Sequence, residues 1–412
     1  MSHLEKLTIS LGVRGRTSFI DGIHLDNCIL SRLPHLHTFV FNIITDFVGS
    51  TEHFEPSADH IRRTFIQRGH HADCYIDYHH VNMPRCHVYS VPLNMERMRH
   101  ISHGFPGGTF INVRILSMLD DSHSFEHNFF AQISRSFPLL SRLVVRNTTP
   151  QKEKRSHQIS LKVFTENLAS STLLELHVTV NNFDDCLYLL DERFNQLHTF
   201  YVNVADIQSS QQTINNMENL SNLKYFSLYS NVEINAYDEL IVPLLNRMFN
   251  LEELSLYVKI CDKNTFVDGN DLKKNILNNM SRLKKFQFYI RSTTGVLNQI
   301  NIPSNEDIQY TFKYFHNNHI ISYVDYFTDT QRGQCHIYSY PYTLNEYYKI
   351  TNNFPGGLNK CVTKISLYDE RPFEYKFFLR IAQSFPYLKK LIIENMKPQN
   401  GKQSDDIRYL CL

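Results

Sequence analysis

Eleven stretches of this chain place apolar residues in the order L-x-x-L-x-L or a close variant, and that recurrence restricts the fold more than any other feature. They are Leu4-Leu7-Ile9, Leu36-Phe39-Phe41, Val113-Leu116-Met118, Leu140-Leu143-Val145, Leu173-Leu176-Val178, Leu197-Phe200-Val202, Leu223-Phe226-Leu228, Leu251-Leu254-Leu256, Leu283-Phe286-Phe288, Val362-Ile365-Leu367 and Leu388-Leu391-Ile393. Strand side chains alternate, so the last two apolar residues of each match face one side and the residues between them face the other. From Val113 to Leu283 successive starts lie 27, 33, 24, 26, 28 and 32 residues apart, close to the leucine-rich-repeat period. Helical patterns such as Phe129-Phe130-Ile133-Phe137 and Leu240–Met248 fill the intervals. Parallel strands joined by helical crossovers predict an α/β leucine-rich-repeat solenoid, a horseshoe or arc with a parallel concave sheet and convex helices.

The repetition also runs on a longer scale. His3–Ser10 matches Asn250–Tyr257 in phase 247 residues later, and both copies contain a long gap, from Leu36 to Val113 and from Leu283 to Val362. The reading is one continuous solenoid in three parts: a first duplicated segment at 1–154, unduplicated central repeats at 155–247, and a second duplicated segment at 248–412. Inside the gaps, helices starting near Ser57 and Ser304 precede short strands at Tyr75–Tyr78 and Tyr323–Tyr326. Cys86–Ser90 and Cys335–Ser339 then read as degenerate repeats. Each is expected to run through a helix that stops at Phe105-Pro-Gly-Gly108 or Phe354-Pro-Gly-Gly357. Neither end of the sequence carries a polar capping repeat, so the chain reads as incomplete or dependent on neighbours.

Net charge is +1 with 42 basic and 41 acidic residues, so no global field favours nucleic acid or an anionic membrane as partner. Eight cysteines without a C-x-x-C pair, and no leader or membrane-length apolar run, suit an intracellular protein, cytoplasmic or nuclear. Sequons at Asn147, Asn219 and Asn279 then have no glycosylating context. His70, His71, Cys74, His79, His80, Cys86 and His87 are the densest possible metal ligands. The second copy keeps only His319, Cys335 and His336, with Asn317 and Asn318 at the places of His70 and His71, so no metal or other cofactor is expected. The Phe-Pro-Gly-Gly pairs do not continue into a phosphate loop, and no G-x-S-x-G, H-E-x-x-H or kinase series occurs, so no catalytic residue is assigned. An enzyme whose site is assembled from distant residues stays the remote alternative.

The repeat strands, led by Leu33-Pro-His-Leu36, Phe137-Pro-Leu-Leu140 and Phe385-Pro-Tyr-Leu388, resemble those of F-box/leucine-rich-repeat proteins. The series running from Cys335-His-Ile-Tyr-Ser339 through Asn352-Asn-Phe-Pro-Gly-Gly357 and Asp369-Glu-Arg-Pro-Phe-Glu374 to Ala382-Gln-Ser-Phe-Pro386 is similar to the expanded F-box-like family of rotifers. The resemblance implies the substrate-recognition region of a ubiquitin-ligase receptor. An F-box precedes the repeats in that family, whereas here a repeat strand begins at Leu4. A Skp-type adaptor and cullin are thus expected as partners only if an F-box lies upstream. The alternative is a repeat scaffold unrelated to ubiquitination.

Strand alternation proposes where a protein partner sits. Tyr201, Tyr225, Tyr229, Tyr257, Tyr289 and Tyr368 fall in the outward register, with Tyr229, Tyr257 and Tyr289 in one column. Lys285 and Lys390 flank them, facing Glu253 and Glu394. Such an aromatic strip supplies rigid anchors for recognition; cross-strand packing that merely supports the sheet is the other reading.

Overall fold

The computed structural model describes residues 3–47, 57–79, 83–120, 125, 127–147, 172–190, 196–207, 214, 218–261, 263–295, 303–315 and 319–395. The polar loops after Asn147 and Asn395, and the positions of His80, Asn317 and Asn318, lie outside them. The chain divides into two compact units, residues 1–205 with 216–225, and 206–215 with 226–412.

In the first unit, β1 (Lys6–Arg16), β2 (Thr38–Phe47), β3 (Ala72–His79) and β4 (Met83–Ser90) form a sheet ordered β1-β2-β4-β3. A further run, β5 (Arg97–Ile101), β6 (Ile115–Asp120), β7 (Arg142–Asn147), β8 (Glu175–Asn182) and β9 (Thr199–Asp206), is ordered as numbered. In the second unit, β10 (Tyr225–Ile234), β11 (Glu253–Ile260), β12 (Lys285–Gly295), β13 (His319–Phe327) and β14 (Arg332–Tyr340) stand in the order β10-β11-β12-β14-β13. A separate three-stranded sheet holds β15 (Glu346–Ile350), β16 (Lys364–Asp369) and β17 (Lys390–Asn395).

This arrangement corrects the solenoid expectation. Leu7 and Leu143 lie in different sheets of the first unit, and Leu254 and Leu391 in different sheets of the second, so no single parallel sheet gathers the repeat strands. Both units are mixed α/β, because β4 and β14 run antiparallel to both of their neighbours. The cause is the hairpin in each long gap. Only Thr328–Gln331 separate β13 from β14, and a connection that short can return the chain antiparallel but cannot make a crossover. Each hairpin inserts its second strand beside β2 or β12, where a next repeat strand would have paired. Cys86–Ser90 and Cys335–Ser339 are therefore hairpin strands and not degenerate repeats.

The helices expected before the Phe-Pro-Gly-Gly segments are strands as well. Met98 and Ile101, like Tyr347 and Ile350, are buried three residues apart, a spacing that suits a helix face. A β-bulge produces the same spacing by inserting one extra residue, and the register of β5 and β15 shifts at those positions. His100 (φ 56°) and Lys349 (φ 50°) occupy the bulges in left-handed conformation. Their backbone N–H groups donate to Ser117 Oγ at 3.0 Å and Ser366 Oγ at 2.8 Å, which holds a geometry that non-glycine residues otherwise avoid. The paired glycines that follow, at φ between 94° and 125°, shape the loops that bury Phe105 and Phe354.

The repeat strands themselves form as their residue order requires. Along β11 the burial alternates without interruption from Glu253 to Ile260, with Leu254, Leu256, Val258 and Ile260 inside. Parallel pairs keep one phase, as Lys6 opposite Thr38, Arg142 opposite Glu175 and Lys364 opposite Lys390 show. Ser57 and Ser304 cap the helices Ala58–Ile66 and Asn305–Thr311, the second through a capping box with Asp307. Among the described residues no helix is long and apolar enough to cross a membrane.

Candidate functional site

One face of β11, β12, β14 and β13 collects the outward residues in straight rows. Glu253 stands opposite Lys285, and their side chains pair at 3.3 Å. Beyond the next row, Ser255 and Gln287, come Tyr257, Tyr289, Tyr338 and Ile321, then Lys259, Arg291, His336 and Tyr323. On the neighbouring strand β10, Asn231 meets Lys259 Nζ through its backbone oxygen at 2.8 Å and its side-chain oxygen at 2.7 Å. That contact places Tyr229, two residues earlier, beside Tyr257.

The column does not stay open along its length. At β12 and β14 the apolar side of the three-stranded sheet packs onto it, so Tyr289 is 3% exposed within a cluster that includes Tyr323, Tyr338, Tyr342, Tyr347 and Phe354. The Tyr289 ring meets those of Tyr342 and Tyr347 edge-on, each at 5.5 Å. Aromatic edges favour such T-shaped contacts. Burial raises the Tyr289 and Tyr338 hydroxyls well above the usual tyrosine range. His336, stacked on Tyr323 at 4.6 Å, is held neutral by burial and by Arg291. The first copy repeats this core: His87 lies 2.8 Å from the Tyr75 hydroxyl and 2.5 Å from Asn42 Oδ1, and burial lowers its pKa to about 3. Cys74 and Cys86 lie buried beside each other at 3.5 Å. Of the densest histidine and cysteine cluster, Cys74, Cys86 and His87 are packed core side chains, whereas His70 is half-buried and His71 exposed; among the described residues no group of three or more His, Cys, Asp or Glu side chains is placed to hold a metal ion.

What remains accessible is the border between the covered and open parts of the face. Tyr229 and Tyr257 are half-buried, and the Tyr257 hydroxyl reaches Thr343 Oγ1 at 3.1 Å. Lys259 Nζ sits 3.7 Å above the Tyr348 ring, and a cation over a ring face is attracted by its quadrupole. Tyr348 donates its hydroxyl to the Glu346 carboxylate, which also receives Lys364 at 3.0 Å. Arg291, 2% exposed, pairs with Glu233 at 2.5 Å. Lys349 lies 5.3 Å from the centre of the Tyr368 ring. Burial, with Arg291 next, lowers the Lys259 ammonium to about 8, and burial lowers Lys349 too. Burial and then Glu346 raise the Tyr229 hydroxyl.

The remaining sequence-assigned residues are dispersed. Tyr201 belongs to the first unit, 40% exposed and stacked at 4.3 Å on His177. Tyr225 ends that unit and is half-buried. Tyr368 packs edge-on to Phe327 at 5.0 Å. Lys390 stands opposite Lys364, while Glu394 stands opposite Tyr368. Sequence reasoning missed Lys259 and Arg291, although each lies one outward position beyond Tyr257 and Tyr289 and the same alternation reaches them. Tyr348 and Lys349 carried no such signal, because the bulge re-aims them.

Chemically, the border offers half-exposed rings and paired charges of both signs. That combination suits contact with polypeptide side chains, where aromatic anchors supply area and charges fix orientation. No protein-family model matches this chain, and no curated protein matches it.

Proposed function

We propose that this protein is a non-enzymatic protein-recognition module whose partner docks on the border formed by Tyr229, Tyr257, Lys259 and Tyr348. The observation that carries the reading is the Lys259 contact set: a half-buried ammonium over an accessible tyrosine, in line with two further tyrosines. Desolvated aromatic and cationic groups of this kind dominate binding energy at interfaces. Within that role, the resemblance of the series at 335–386 to that of F-box-like proteins supports a finer assignment, substrate recognition for a ubiquitin-ligase receptor.

Affinity purification of the protein from its own cells, as this chain and as any N-terminally extended transcript form, separates that assignment from a repeat scaffold unrelated to ubiquitination. Recovery of a Skp-type adaptor together with a cullin, expected from any form that carries an F-box upstream of Met1, supports the receptor assignment. A partner set lacking both, from every transcript form, favours the scaffold.

A further inference from the structure

We propose that the protein binds a second copy of itself head to tail, β17 of one copy adding in parallel to β1 of the next. Among the described residues both strands are sheet edges, and an edge presents unpaired backbone groups that can template another strand. The duplication indicates what each edge lacks. The counterpart of β1, 247 residues on, is β11, which has β10 along the side that β1 leaves open. The counterpart of β17 is β7, which has β8 along the side that β17 leaves open.

Burial follows the same division. Leu254 and Leu256 of β11 are buried, whereas the matching Leu7 and Ile9 of β1 are only half-buried. Leu143 and Val145 of β7 are buried, whereas Leu391 is half-buried and Ile393 is 48% exposed. Each edge thus shows, as open apolar surface, residues whose counterparts a neighbouring parallel strand covers. Joined as β16-β17-β1-β2 across two copies, the strands repeat the order seen in β6-β7-β8 and β10-β11-β12.

Register and charge agree with this joint. The parallel pairs β1–β2, β6–β7, β11–β12 and β16–β17 keep one repeat phase, and continuing that phase sets Leu391 opposite Leu7 and Ile393 opposite Ile9. The bulge between Val13 and Arg16 lies beyond this stretch. The same phase sets Lys389 opposite Glu5, both exposed. That is the relation Lys284 has to Glu252 across β12 and β11, with Nζ 2.7 Å from the carboxylate. The contact is heterologous, since the two surfaces differ, so its products grow with concentration as chains or rings.

Sedimentation equilibrium on the full-length chain tests it. The expected average mass exceeds the 48.5 kDa of one chain and rises with concentration. K389E or E5K alone places like charges opposite one another and weakens association about 2- to 30-fold. Mixing the two single variants, or combining both changes in one chain, restores association by re-forming opposite pairs. Ile393→Asp, at an exposed position, abolishes association while circular dichroism stays native. A mass fixed at one chain up to about 1 mM overturns the proposal, and so does association that the single charge reversals leave unchanged or that mixing them fails to restore.

Discussion

Asp325 shows how far a single side chain can depart from its ordinary chemistry in this fold. It is 1% exposed, accepts a hydrogen bond from Thr351 Oγ1, and faces Arg371 at 3.3 Å and the Asp369 carboxylate. Burial, tempered by Thr351 and Arg371 and reinforced by Asp369, pushes its carboxyl up to about 7. A folded-state value above the unfolded one means that the carboxyl's contribution is complete at acid pH and is lost as pH rises through about 7. Asp325→Asn keeps a neutral hydrogen-bonding group and removes that dependence. Urea unfolding of both proteins from pH 4 to 8 should show wild-type stability falling relative to the variant, with a slope of at most about 1.4 kcal/mol per pH unit. The neutral, buried His336 shifts stability in the opposite direction but is common to both proteins, so it cancels in the difference. A difference that does not vary with pH would refute the assignment. None of this was legible in the sequence, where Asp325 is one acid in a strand and Thr351 and Arg371 lie 26 and 46 residues away.

At the scale of elements, the duplication reaches down to single contacts. Gly22 and Gly269 open the helices Gly22–Cys28 and Gly269–Leu272, and each donates its N–H to a threonine hydroxyl at 2.8 Å, Thr64 in one copy and Thr311 in the other. A Cβ at either glycine would come within 2.4 Å of that threonine's carbonyl oxygen. Gly269→Ala and Gly22→Ala should therefore each cost about 1–3 kcal/mol, as overpacking of a close backbone approach does. Chemical denaturation measures it, and a change below about 0.5 kcal/mol would place the variants with ordinary surface substitutions. The repeat strands were legible because L-x-x-L-x-L encodes side-chain alternation directly. The strands at Tyr75–Tyr78, Cys86–Ser90, Tyr323–Tyr326 and Cys335–Ser339 were legible too, but their pairing as hairpins was not, because a strand buried on both faces, as β14 is from Gly333 to Tyr338, carries no alternation to set it apart from a repeat strand. The strands β5 and β15 were hidden by their bulges, which give apolar residues a helical spacing.

At the scale of the whole molecule, the hairpins change which residues a partner can reach. In the tyrosine column, Tyr257 and Tyr289 stand opposite each other. It could not be read from sequence that the three-stranded sheet covers Tyr289, since that depends on packing between sheets. A change at Tyr289 accordingly tests the core, whereas the proposed recognition rests on Tyr229, Tyr257 and Lys259 on the border. The most direct test compares recovery of the native partner by wild type and by the folded triple variant Y229S/Y257S/K259E, with Tyr201→Ser in the first unit as control. Proposed anchors at hot-spot scale predict a loss of about 1–3 kcal/mol, roughly a 5- to 160-fold fall in affinity, for the triple variant alone. Equal recovery by wild type and triple variant would contradict the account.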